Sequence, residues 1–542
     1  MKKSILSGVS KGLIALALLI AVDACKKPLD DDPIVVGESV VKTDEEAYAL
    51  VNGALGPYQT LSSSFSFLVE SSSENTVSFE GEESEAGPEV SRFEVKPTNW
   101  YPVKVYNRLY KSIGITNDAI EKISASSALS ADAKKVSVAR AKFLRGLFYS
   151  YLVQLFGEVP LVLETGKVVT TRASINDVYA QIVKDLTEAE ANLPDYDSSP
   201  VNPSKGSANA ILSRVYLVWG NVPLTQDQIA ESANLSRDTE HIHIETSRLN
   251  KAVEHADKVI NGGKYRLLDN FNNIFGKGNE SKAPEHIFTI HHDGDGIDAQ
   301  GNHQSHCSFT FAFELEKDNH IGPSNLERYA QWDATDKRRE YSYTTVLENP
   351  LENNKKYSFL PPITLPRYGK FIDRTYPNSV NLCIQTNEID RIEIRYAEVL
   401  LNKAEALVAL GRNAEALPLV NQLRTRAFGN TTKNLTAVTV NDIRKEWALE
   451  FTYEQKDWFN AVRWKTLVSS VKSVKDFEYY DDSYAVSGKV GKDGNTVSPF
   501  FAKVHKHLHA KYNNVRGKHY RFPIPTGEKG EDLGVTPQNP GY

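Results

Sequence analysis

The stretch Val136–Val162, VSVARAKFLRGLFYSYLVQLFGEVPLV, decides the fold. Apolar residues fall at Val136, Ala139, Phe143 and Leu147, in steps of three and four. A second stripe runs through Leu144, Phe148, Tyr151 and Leu155. One stripe gives a surface helix, whereas two give a helix buried around most of its circumference. Gly157 and Pro160 end it. A chain that buries such a helix must surround it with others, so the spacing predicts a mainly α protein.

The neighbouring segments supply those partners. Ser174 and Asp177 stand at capping-box spacing ahead of the stripe Ile175, Val178, Ile182, Leu186 and Ala189, with Pro194 beyond its end. Ser207–Gly220 reads as another short helix. Tyr396–Ala427 carries two helical stripes broken at Gly411, a helix hairpin with tetratricopeptide-like spacing. Two regions interrupt this rhythm. Glu70–Tyr101 is acidic, rich in Ser and Gly, and unpatterned. Residues 285–385 mix short β-prone runs such as HIFTI with Gly, Pro and Asn. Long irregular segments of this kind are expected to carry binding loops.

Composition narrows the function classes. The 542 residues hold 63 Lys+Arg against 69 Asp+Glu, a formal net charge of −6. A mixed, mildly acidic surface does not suit nucleic acid, whose phosphates need a positive stripe. Mean hydropathy is −0.41, and no run beyond the N-terminus approaches the ~18 apolar residues of a membrane span. Residues 1–24 read as a secretory signal, with Lys2 and Lys3 ahead of the apolar run Gly12–Val22. Cys25 follows Val22-Asp23-Ala24, which resembles a bacterial lipobox, so Cys25 is expected to be the lipidated first residue of the mature chain. Residues 25–45, with Asp30, Asp31, Asp32 and Pro33, form a polar tether. The three cysteines make no disulfide framework, and pairing of Cys307 with Cys383 stays open.

No motif supplies convincing catalysis. GVSKG at Gly8–Gly12 lies inside the signal segment, away from any strand-to-helix elbow. Glu446, Glu450 and Glu454 are spaced by four and are candidates for paired acid–base carboxylates. Ion pairing with arginines such as Arg444 and Arg463 is the preferred reading. His505, His507 and His509 would share one face of a strand, as metal ligands or, preferentially, as ordinary surface histidines. Asp293, Asp295 and Asp298 are weak calcium candidates that lack EF-hand spacing. No catalytic residue, resident metal or cofactor is expected. Trp100, Tyr101 and Trp332 lie in or near the irregular segments and are the ligand-binding candidates, because a flat ring with a polar handle suits a sugar face.

Several blocks, taken together and in order, carry a family resemblance. They are NRLYKSIGITNDAI, ARAKFLRGLFYSYLVQLFGEVPLV, RYAEVLLNKAEALVALG, VNQLRTRA and the C-terminal RFPIPTGEKGEDLGVTPQNPGY. From Cys25 to Tyr542 the chain resembles the SusD/RagB family of outer-membrane nutrient-binding lipoproteins. The resemblance implies a SusD-like α-helical body with tetratricopeptide-like hairpins and an irregular capping subdomain with short strands. It divides the body into an N-terminal helical region, 46–230, and a C-terminal region, 231–542, that includes the ligand-loop subdomain 285–385. It implies a glycan ligand (a peptide in some members) and a SusC-like TonB-dependent transporter as partner. It gives Asp30, Asp31 and Asp32 the role of an export signal that turns the lipid-anchored body to the cell exterior. The rival readings are a lipid-anchored surface glycosidase and a helical-repeat scaffold that binds only protein.

Overall fold

The computed structural model describes residues 41–78, 85–275, 284–292, 321–323, 326–349, 355–358, 366–371, 389–527 and 530–542. Cys25, Asp30, Asp31, Asp32, Asp293, Asp295, Asp298, Cys307 and Cys383 lie outside the described residues.

Seven helices form the scaffold: α1 Trp100–Ala125, α2 Ala131–Phe156, α3 Ile175–Asn192, α4 Lys205–Gly220, α5 Thr246–Asn261, α6 Tyr396–Ala409 and α7 Asn413–Phe428. Each packs on the next, from α1 against α2 through to α6 against α7. This is the stacking of a helical-hairpin solenoid, in which neighbours bury each other's apolar faces. The helices start where the sequence caps them. Ser130, Ser174 and Ser204 each accept a backbone N–H three residues on, at the starts of α2, α3 and α4. Gly157, at φ 77°, ends α2 in a conformation that glycine adopts without strain.

Both apolar stripes of α2 are buried from Ala139 onward, while Val136, near the start of the helix, is half-buried. Gly146 allows α3 to come close: a Cβ there would meet Leu186 Cγ at 2.9 Å. A polar clamp fixes three helices at this crossing. Arg145 donates from Nε and Nη2 to both oxygens of Asp185, at 2.8 and 2.7 Å, and from Nη1 to Asn117 Oδ1 at 2.9 Å. The C-terminus closes over the far end of α2. Asn539 Nδ2 donates to the carbonyls of Phe156 and Phe522, at 2.9 and 2.7 Å. A helix end leaves its last carbonyls unsatisfied, and this side chain takes one of them.

Between α5 and α6 the described strands are short and antiparallel. His286–Ile290 pairs with Arg391–Arg395, which runs directly into α6. Ile321–Pro323 pairs with Thr76–Ser78, and Tyr343–Thr344 with Arg367–Tyr368. Residues 71–78 are therefore no solvated loop. Ser71, Ser72, Ser73, Asn75 and Thr76 are all buried. Their polar backbone is satisfied from within the protein. Lys511 Nζ donates to the carbonyls of Ser71 and Thr76, both at 2.6 Å, and Tyr368 Oη donates to that of Asn75 at 2.7 Å.

Candidate functional site

The three spaced glutamates sit in the core. Glu446 and Glu450 belong to α8, Val440–Glu450, and Glu454 lies in the turn that follows. Arg338 Nη1 donates to Glu446 at 2.6 Å and to Glu450 Oε2 at 2.9 Å, while Nη2 holds Asp336 at 2.7 Å. Arg395 Nη1 reaches Glu450 at 2.6 Å and Glu285 at 2.9 Å, and its Nη2 reaches Glu454 at 2.8 Å. Arg426 donates to Glu285 at 2.7 Å and also to Glu450. Burial disfavours charge on Glu450, but Arg426, Arg395 and Arg338 outweigh it and hold the carboxyl well below the usual range. A carboxylate locked to three guanidiniums is a poor proton donor and is closed to substrate. The arginines are not those singled out in the sequence. Arg463 pairs with Glu405 at 2.8 and 2.9 Å, and the Arg444 guanidinium stands 5.3 Å from the Trp464 ring centre. The true partners come from positions up to 112 residues away along the chain, where local spacing carries no signal.

A second buried acidic group had no sequence signal. Glu70 and Asp457 are both buried, with Arg328 Nη1 3.5 Å from Asp457 and Nη2 2.8 Å from Glu74. Burial raises the carboxyl of Asp457 to about 6 against the pull of Arg328, and raises that of Glu70 well above its ordinary value, with Asp457 adding to the shift. Such values suit a general acid. Neither carboxyl lines the cavity beside Arg328, so the pair has no substrate-facing surface there.

The aromatic candidates separate. Trp100 opens α1 and is 51% exposed, whereas Tyr101 is 3% exposed. Successive helix residues point about 100° apart, so packing one ring inward turns the other out. Tyr101 stacks on Phe67, with centroids 4.9 Å apart and planes at 14°. Its ring is core packing and not an open platform. The turn beneath Trp100 is held firmly. Asn99 Oδ1 caps the Tyr101 N–H at 3.1 Å, and its Nδ2 donates to Ala86 O at 3.0 Å and Glu89 Oε2 at 2.9 Å. Lys104 Nζ lies 4.5 Å from the centre of the Trp100 ring.

Trp332 also differs from an exposed platform. It is 4% exposed and meets Tyr343 edge-on at 5.8 Å. Tyr343 lies 5.5 Å from Tyr368, which stacks on Tyr453 at 4.1 Å. These aromatics from the irregular region form an internal ladder. Trp332 still borders a cavity of about 600 Å³, together with Arg328, Asp333, Arg424, Phe428 and Lys445. Its Nε1 has no hydrogen-bond acceptor among the described residues. The cavity combines ring edges with charged hydrogen-bonding groups, a lining suited to a hydroxyl-rich ligand.

The three spaced histidines lie on a helix, α9 Pro499–Asn514, and not on a strand, so they do not share a face. Ser498 caps this helix and Pro499 occupies its first turn. Among the described residues no helix is long and apolar enough to cross a membrane.

Residues 245–542 match the profile of the SusD family. Residues 46–217 match a second profile, described as starch-binding and associating with the outer membrane. SusD-like protein P2 of Formosa agariphila is 26% identical over 569 residues, spanning 97% of this chain and 98% of that protein. The starch-binding protein SusD of Bacteroides thetaiotaomicron is 24% identical over 385 residues, covering 60% of this chain and 63% of the relative. A SusD homolog from Bacteroides thetaiotaomicron superposes with a TM-score of 0.71 at 20% identity, covering 93% and 98% of the two chains. A laminarin-binding SusD-like protein superposes with a TM-score of 0.67 at 22% identity, covering 93% and 100%.

Proposed function

Since this chain belongs to the SusD family, we propose that it captures an oligomeric glycan at the cell surface and passes it, unaltered, to a TonB-dependent outer-membrane transporter of the SusC type. A starch-binding protein and a laminarin-binding protein stand among the similar proteins, and the spaced glutamates of this chain are taken up by buried ion pairs. Lipidated Cys25 anchors the body, residues 25–40 give it reach, and Asp30, Asp31 and Asp32 direct it outward; the tether is shorter than the sequence suggests, because Val41 is buried in the core and a capped helix begins at Asp44. Capture needs a rigid scaffold with an open ring, because a pre-set side chain loses little freedom on binding. Trp100 is the observation that carries this reading: it is half exposed on the first turn of a capped, 26-residue helix. The polar cavity at Trp332 supports a second contact. The relatives' ligands, starch and laminarin, make glucans the first ligands to try.

The test is affinity electrophoresis in gels containing laminarin or soluble starch, comparing the protein with Trp100→Ala. Loss of a central aromatic anchor weakens binding by about 1–3 kcal/mol, so the variant should migrate almost unretarded in the gel that slows the parent. Equal retardation of the two proteins refutes the Trp100 platform.

A further inference from the structure

The histidines of α9 come together with an acid from another element. His505 and His509 are one helical turn apart and share a face, with ring centroids 3.9 Å apart. His507 lies on a different face and is buried. Opposite the pair stands Asp482, in the short turn Asp482–Tyr484. That turn and α9 share a small apolar cluster of their own, which includes Tyr480, Tyr484, Phe501 and Leu508.

We propose that Asp482, His505 and His509 bind a borderline transition-metal dication of the Zn2+ type. Each side chain offers one ligand atom, and the three atoms all lie within 4.8 Å of one another. A tetrahedral zinc with bonds of about 2.0 Å holds its ligand atoms roughly 3.3 Å apart. His505 Nε2 stands 3.4 Å from Asp482 Oδ1. The same nitrogen is buried and makes no hydrogen bond among the described residues. The two atoms are spaced as ligands of a shared ion, longer than a strong charge-assisted hydrogen bond.

The surroundings favour a metal. His509 Nε2 bonds the Tyr480 carbonyl at 2.8 Å. That bond fixes the ring, the usual arrangement behind a metal-bound imidazole. The Asp482 side chain is 97% exposed, which leaves the remaining coordination position to water. Two imidazoles exclude calcium and magnesium, which take oxygen ligands. A bound ion would tie the Asp482–Tyr484 turn to α9.

The experiment titrates the full-length protein, purified in detergent and stripped with EDTA, with zinc chloride by calorimetry. One equivalent should bind. His505→Gln and His509→Gln should each weaken binding by more than about tenfold, and Asp482→Asn should weaken it less. His241→Gln, a surface histidine paired with Glu231, should leave it unchanged. Excess zinc should raise the thermal midpoint of the parent but not of the two histidine variants, whose midpoints in EDTA should match the parent's. Should either variant fail to fold, cobalt substitution decides on the parent alone: a visible band of tetrahedral intensity supports the site. No binding at millimolar zinc, unaltered binding in both histidine variants, or no cobalt band overturns it.

Discussion

Replacing Glu450 with Gln tests what the buried carboxylates do. Glu450 takes Arg395 and Arg426 on one oxygen and Arg338 on the other. Glutamine keeps the shape but turns one oxygen into an NH2 group, a donor aimed at a guanidinium. Removing one member of a buried ion-pair network costs about 3–5 kcal/mol, because the opposite charges stay buried. The remaining acids soften this: Arg338 retains Asp336 and Glu446, and Arg395 retains Glu285 and Glu454. The expected loss is therefore about 3 kcal/mol, the lower end of that range. It can be read from urea unfolding curves followed by tryptophan fluorescence at pH 7. The pH dependence has a fixed sign. The folded pKa of Glu450 lies well below its ordinary value of 4.5, so its contribution is complete above pH 4.5 and is lost as pH falls toward the folded value. The gap between parent and variant should begin to close below pH 4.5. Glycan retention at neutral pH should be unchanged. A loss under about 1 kcal/mol, a gap that ignores acid pH, or abolished glycan turnover in the variant would refute the ion-pair account.

Three further outcomes follow from the packing and the tether. Tyr101→Ala should cost about 3–5 kcal/mol of stability, as for a buried aromatic, while Trp100→Ala should leave the unfolding midpoint nearly unmoved; comparable midpoints for the two would show that the rings are equally buried. Asn539→Ala should cost about 1–3 kcal/mol, because the Phe156 and Phe522 carbonyls lose a buried donor, and urea unfolding reads this directly. Cys25→Ser should release the protein from the membrane fraction, whereas Asp30, Asp31 and Asp32 changed to Ala should keep the lipid but lower protease accessibility on intact cells; retention of Cys25→Ser on membranes in high salt would remove the anchor.

The helices were legible because their information is local. The double stripe of α2, the Ser174 cap and Gly157 act within a few residues of where they stand, so Ala131–Phe156 ends where the sequence says it should. The hairpin at Gly411 was legible for the same reason. What could not be read was set by contacts remote in sequence. Trp100 and Tyr101 are adjacent and chemically alike, and it is packing against residues remote in sequence, Phe67 among them, that turns Tyr101 inward. The polar run Ser71–Thr76 looks solvated until Lys511, from more than 400 residues later, supplies its donors. The alternation in HKHLH suggested a strand, yet the cap at Ser498 and the apolar positions Phe501, Val504 and Leu508 specify a helix. That signal was present in the flanking residues and was outweighed by the repeat of histidine.

Capture without conversion is the central claim, and the mass of the recovered ligand tests it most directly. The protein is saturated with a defined glucan oligosaccharide, held for many hours, and the ligand is released by denaturation and weighed by mass spectrometry. The account predicts a stoichiometric yield of oligosaccharide with its mass unchanged. Shorter products that accumulate with time, or no retained ligand across glucans and peptide mixtures alike, would contradict it.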